Sequence, residues 1–170
     1  GKAPGGALPR TSVEGFEADH GPIDILINNA GMQPRAPLEE FPADMFERLL
    51  QTNSASVFHV GQACARHMIG RGREKIGNIA SVQTALARAD MARHGLQCTA
   101  IAPRYSAPRS TPRLSRPPPD FSAWLEKRTP VGRWGQMEEL VGAAVFLCSD
   151  ASSFVNGHTL FVDGGITASL

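Results

Sequence analysis

Ile23-Asp24-Ile25-Leu26-Ile27-Asn28-Asn29-Ala30-Gly31 is a short, almost continuous apolar run that stops at two asparagines and a glycine turn. A run of this kind without alternation suits a parallel strand covered on both faces. Gly21-Pro22 breaks the chain just ahead of it, and a loop follows it as far as Pro37. Pro42-Ala43-Asp44 then opens a helix. Proline sits well in a first turn, and aspartate favours the positive end of the helix dipole. Met45, Leu49 and Leu50 mark the inner face of that helix. A second helical stretch over 54–68 carries Val57, Val60, Cys64 and Met68 at helical spacing, and Gly70-Arg71-Gly72 stops it. Asn53 falls at the junction of the two helices.

Residues 75–81 and 96–102 read as the next two strands, with Gly77 a weak point in the first and Pro103 closing the second. Only the 14 residues 82–95 connect them. A parallel crossover needs about a dozen residues, so a minimal strand-helix-strand unit fits. The helix formers of 85–94 lie between Thr84 as a cap and Gly95 as a stop. Helices are expected over 121–127 and 136–147, the second with Met137, Leu140, Val141 and Ala144 inward. A fourth strand is expected over 158–162, closed by Asp163-Gly164-Gly165. Strands alternating with helices predict an α/β fold, a truncated Rossmann-like, doubly wound parallel sheet of about four strands. We expect one incomplete domain over 1–170. Residues 1–12 are Gly/Pro-rich and read as a flexible arm, with a short helix over 12–18. Residues 104–119 hold four arginines, five prolines and no acid, so 104–120 is expected to be a mobile loop.

The totals narrow the function. A length of 170 residues with 42% apolar side chains supports one packed core. A formal charge of +1 gives no global attraction to nucleic acid or acidic membrane, and neither is expected as a partner. Cys64, Cys98 and Cys148 are widely spaced and lack a metal-ligand pattern, so reduced buried thiols are expected and no metal site. No apolar run reaches the length of a membrane span, and a soluble, cytoplasmic chain is expected.

Several of these segments, taken in order, resemble the short-chain dehydrogenase/reductase family. Asn28-Asn29-Ala30-Gly31 is similar to its motif after a strand. Asn53 matches its helix asparagine, and Ser81, ending Asn78-Ile79-Ala80-Ser81, matches its catalytic serine. Arg128-Thr129-Pro130-Val131-Gly132-Arg133-Trp134-Gly135, Asn156-Gly157 and Asp163-Gly164-Gly165 resemble its C-terminal half. The wording of Ala80-Ser81-Val82-Gln83 and of the tail 164–170 looks most like the gluconate 5-dehydrogenase branch. The resemblance implies NAD or NADP as cofactor, a sugar acid or polyol as substrate, and hydride transfer to the nicotinamide ring. It implies that Ser81 bonds the substrate oxygen and that Asn53 holds a water in the proton relay. It places Asn29, Ala30, Gly31 and Pro103 beside the cofactor. Ala30 and Gly31 have little side chain, which lets the backbone come close to a ribose.

Two family features are not found in these 170 residues. One is the Thr-Gly-x-x-x-Gly-x-Gly loop that sets a helix N-terminus against the pyrophosphate. The other is the Tyr-x-x-x-Lys helix, which belongs between Ala89 and Asp90. Tyr105 is the only tyrosine, and the residue four places on is Arg109. Pro108 keeps the residue before it out of a helix, so the pair does not share a helical face. Where the family has Pro-Gly, this chain has Pro103-Arg104. General acid–base groups supply about 10²–10⁴ in rate, so the expectation is an oxidoreductase by family with little or no activity in this chain. The alternative is a non-catalytic paralogue or remnant acting through self-association, as a homo-oligomer or with full-length relatives. An unpaired edge on the strand over 23–27 favours such association.

Overall fold

The computed structural model describes residues 7–34, 36–72, 74–79, 91–107 and 118–169. In chain order its elements are α1 (Ala7–His20), β1 (Ile25–Asn28), α2 (Ala43–Leu50), α3 (Ser56–Met68), β2 (Lys75–Ile79), β3 (Gln97–Pro103), β4 (Ser106–Ala107), α4 (Pro119–Arg128), β5 (Gly135–Gln136), α5 (Glu139–Cys148) and β6 (Thr159–Val162). The main sheet has the order β1-β2-β3-β6, and every neighbouring pair is parallel. β4 and β5 form a separate parallel pair. The α/β, Rossmann-like parallel sheet read from the sequence is the observed architecture.

Alternation along the strands divides the side chains between two covered faces. Leu26, Ile76 and Cys98 point to one, where they pack with Val13 of α1 and with Val60, Cys64 and Met68 of α3. Gly77, Ile79, Thr99 and Ile101 point to the other, against Ala144, Leu147 and Cys148 of α5. Met68 and Leu96 have no solvent exposure. Ile25 and Ile27 of β1 also point to the α5 face but lie at the sheet edge, and they stay 45% and 42% exposed.

Four local readings are revised. α1 starts at Ala7, so half of the expected arm is helical. Pro9 lies in the first turn, where its missing N–H costs nothing, and Ala7, Leu8 and Arg10 are good helix formers. Arg10 also pairs with Glu14 one turn on, at 3.4 Å. The expected loop over 104–120 is shorter, since Ser106–Ala107 pairs with β5 and α4 opens at Pro119. Residues 108–117 lie outside the described residues. On α2 only Met45 and Leu49 turn inward, and Leu50 is 41% exposed. Met137 lies ahead of α5, which opens at Glu139, and both Met137 and Val141 are exposed. That segment is apolar nearly all round, so periodicity could not choose its inner face; Leu140, Ala144 and Leu147 are the inward set.

Polar side chains fix the amino ends of the strands. Asn156 accepts the Cys98 N–H through Oδ1 at 2.9 Å and donates through Nδ2 to the Leu96 carbonyl at 3.1 Å. Buried Lys75 donates to Gln97 and to Ser152 Oγ. Two glycine turns meet beside them. Gly95 has φ +79°, and a Cβ there would lie 2.8 Å from the Gly72 carbonyl oxygen, closer than any side chain allows.

Glu17 is the hub that ties α1 to the rest. Its Oε1 accepts the Ile23 N–H at 2.9 Å, and its Oε2 lies 2.6 Å from His67 Nδ1 on α3. Arg71 approaches the same carboxylate at 3.7 Å, bonds Glu74 at 2.9 Å and donates to the Ile23 carbonyl at 2.7 Å. The Ile23 N–H holds the Glu17 carboxyl below its ordinary range; burial opposes this, and His67 and Arg71 reinforce it. A depressed carboxyl contributes stability that is present above its unfolded value and is lost as pH falls through its folded value. We therefore expect the urea midpoint of the chain to fall as pH is lowered through the carboxylate range. Glu17→Gln should flatten that dependence and cost about 1–2 kcal/mol at neutral pH.

A candidate active-site edge at the carboxyl ends of the strands

Parallel strands place all their carboxyl ends on one edge of the sheet, where open α/β sheets bind ligands. β1 delivers Asn29, Ala30 and Gly31 to that edge, and β3 delivers Pro103. Just before the edge, Asn28 Nδ2 donates to Asn78 Oδ1 at 2.9 Å, across the register that sets the two residues opposite each other. The amide of Asn28 thus crosslinks β1 to β2. The sequence signal for this pair was an asparagine near the end of each strand, legible only once the register is known.

Asn53 reaches the same loop. It lies in a π turn, Gln51–Ala55, that joins α2 to α3 without a break. The chain therefore makes one continuous helical run where the sequence suggested a junction. Single π turns inside helices are frequent at functional sites. Asn53 Oδ1 accepts the Met32 N–H at 2.9 Å, and Nδ2 donates to the Met32 carbonyl at 2.8 Å. Both polar atoms of the side chain are engaged by one backbone unit, so Asn53 clamps the loop that follows β1. A Cβ at Gly31 would meet nothing nearer than Asn53 Oδ1 at 3.7 Å, so protein packing alone does not demand glycine there. Ser81 lies outside the described residues, as does Arg109.

Two strands along the edge, the ends of β3 and β6 frame a cleft of about 110 Å³ lined by Arg104, Tyr105, Thr129, Arg133, Glu139 and Asp163, among others. The sequence reading assigned no role to it. Arg104 continues the β3–β6 ladder through its N–H, at 3.3 Å from the Val162 carbonyl. Tyr105 has φ +53°, the sole non-glycine residue with positive φ among the described residues. Such a backbone costs about 1–2 kcal/mol. It is held by the Gly135 N–H on the Tyr105 carbonyl at 3.2 Å and by ring contacts with Phe121 and Trp134 at 6.0 and 6.2 Å.

The two acids of the cleft are already bonded. Glu139 takes both arms of Arg133 at 2.7 and 2.9 Å and the Gln136 N–H at 2.7 Å. The Arg133 bonds, with that N–H, hold its carboxyl down at about 2. Asp163 accepts the N–H groups of Gly165 at 2.9 Å and Thr167 at 3.0 Å. Burial pushes its carboxyl up, but the bonds from Thr167 and Gly165 and the charge of Arg104 outweigh burial and keep it low. The glycine turn after Asp163 packs directly on the 129–131 segment. A Cβ on Gly164, at φ +63°, would lie 2.9 Å from Thr129 Cγ2.

The clamp at Asn53 has a direct readout. Asn53→Ala should raise the exchange rate of the Met32 amide about tenfold and cost roughly 1–2 kcal/mol of stability. Asn53→Asp keeps the acceptor and should lose less amide protection.

The comparisons agree with this architecture. The family described as short chain dehydrogenase matches residues 10–95, and the one described as Enoyl-(Acyl carrier protein) reductase matches residues 75–167. The chain is 56% identical to the gluconate 5-dehydrogenase of Gluconobacter oxydans (strain 621H), across 93% of this chain and 70% of the relative. It is 45% identical to the 5-keto-D-gluconate 5-reductase of Escherichia coli (strain K12), across 91% of this chain and 69% of the relative. The first alignment runs over 179 positions, more than the 170 residues of the whole chain, so that relative carries residues with no counterpart here. Among solved structures, a gluconate 5-dehydrogenase from Burkholderia cenocepacia J2315 in complex with NADP and tartrate superposes with a TM-score of 0.87 at 48% identity. It matches 97% of this chain and 72% of its own. Sequence and fold thus converge over nearly the whole described chain, which belongs to the short-chain dehydrogenase family.

Proposed function

We propose that the carboxyl edge of the sheet is the binding edge of a nicotinamide-dependent sugar-acid oxidoreductase, and that this chain turns its substrate over very slowly. The observation that carries the reading is the Asn53 clamp on the loop after β1. It fixes Asn29, Ala30 and Gly31 at the same edge as Pro103, with Gly31 facing no crowding from the protein itself. In this reading those four residues receive the cofactor. Ser81 bonds the substrate oxygen, and Asn53 acts by positioning the loop. NADP is favoured because the Burkholderia relative is described in complex with it, and tartrate in the same complex is a hydroxy acid.

A bound nicotinamide would accept the hydride from the carbinol carbon. The hydroxyl proton then needs a base, which in this family is a tyrosine lowered by a lysine. Tyr105 cannot take that role. It leaves β3 in a left-handed conformation and belongs to a ring cluster with Phe121 and Trp134. Titrating the chain with NADPH and NADH, followed by nicotinamide fluorescence, should show saturable binding, tighter for NADPH. Gluconate oxidation should run at least about 10²-fold slower than in a relative carrying both groups. Absence of binding to folded protein would reject the reading, and turnover at the rate of such a relative would reject the slow-chemistry part.

A second reading is favoured by the exposed apolar side chains of Ile25 and Ile27 on the β1 edge and of Val141 and Val145 on α5. Here the chain acts through association with copies of itself or with full-length relatives. Size-exclusion chromatography should then show a dimer or larger species, and a clean monomer would remove this reading.

A further inference from the structure

Among the described residues, the cleft between the ends of β3 and β6 holds one cation outside a salt bridge. Glu139 is saturated by Arg133 and a backbone N–H, and both oxygens of Asp163 accept backbone N–H groups. Arg104 lines the same cleft, yet its guanidinium makes no hydrogen bond or ion pair among the described residues. Its charge helps to keep the Asp163 carboxyl low. A guanidinium presents paired donors in a fork that matches a carboxylate.

We propose that Arg104 is a specificity-determining residue that anchors the carboxylate of a hydroxy-acid substrate in this cleft. The inference rests on the reading of the sheet edge as a sugar-acid site and deepens it. Size agrees. A volume of about 110 Å³ is several times the roughly 10–15 Å³ that a single water needs on the same measure, enough for a carboxylate and the first carbons of a chain. Neighbouring strands lie about 4.8 Å apart, and four carbon–carbon bonds of about 1.5 Å, laid zigzag, span about 5 Å. An aldonate anchored by carbon 1 at Arg104, just past the end of β3, therefore extends about one strand spacing along the edge, toward the end of β2. A neutral polyol of equal length offers Arg104 only hydroxyl acceptors and forgoes the charge-assisted fork. The strained backbone at Tyr105 sits next to the anchor, and strain of this sort clusters at ligand sites.

The chain's two tryptophans provide the probe. Trp134 and Trp124 are both within 6.2 Å of Phe121, ring centre to ring centre, in the cluster that also contains Tyr105. D-gluconate should change the tryptophan fluorescence saturably in the presence of NADPH, and D-sorbitol should bind far more weakly. Arg104→Gln should weaken gluconate about tenfold or more and abolish the preference over sorbitol, while Arg104→Lys should restore part of both. Arg104 is exposed, so neither variant threatens the fold. Equal gluconate affinity in Arg104→Gln, or equal affinity of the native chain for sorbitol, overturns the proposal. NADPH titration of both proteins separates the two failures. Unchanged cofactor binding with no dependence on Arg104 removes the anchor alone, whereas loss of cofactor and gluconate binding in the native chain removes the oxidoreductase reading with it.

Discussion

Parallel pairing of β2 on both of its sides is the constraint on which the remaining structure depends. β2 is hydrogen-bonded to β1 over Lys75–Asn78 and to β3 over Lys75–Ile79. This one arrangement sends the β1 loop, the end of β2 and the turn after Pro103 to a common edge. It also fixes which side chains meet α1 and α3 and which meet α5, because a slip of one residue would exchange the two faces. Polar groups defend the register at both ends of the strands. Asn156 and Gln97 hold the amino ends, and the Asn28–Asn78 amide pair holds β1 to β2 near the carboxyl ends.

The strands and their parallel order were legible because their apolar runs are short, unalternating and bounded by glycine and proline. The loop after β1 was legible through the family resemblance, since asparagine and glycine leaving a strand by themselves suit any tight turn. Asn53 was found through its resemblance, but its actual engagement was not. A side chain that bonds both groups of Met32 leaves no sequence trace, since the partner is backbone. The cleft around Arg104 was missed for a related reason. It is assembled from segments around 104, 133 and 163, whose joining depends on β6 pairing with β3. Arg104 itself read as one charge in a basic, proline-rich stretch. The inner face of α5 was illegible because valines, alanines and leucines surround it.

Among the described residues, the one non-glycine residue with a glycine-like backbone, Tyr105, lies on the carboxyl side. On the amino side, left-handed positions such as those in the turns at 70, 72 and 95 are filled by glycine itself, at little steric cost.

The short connection between β2 and β3 has a consequence for the entropy of assembly. Lys75 and Gln97 pair across 22 residues, whereas Ala100 and Thr159 pair across 59. Loop-closure entropy grows with the logarithm of that separation, which favours the inner pair by about 0.9 kcal/mol. Compressing one crossover thus concentrates local contacts at the centre of the sheet and leaves its two outer strands as the long-range additions.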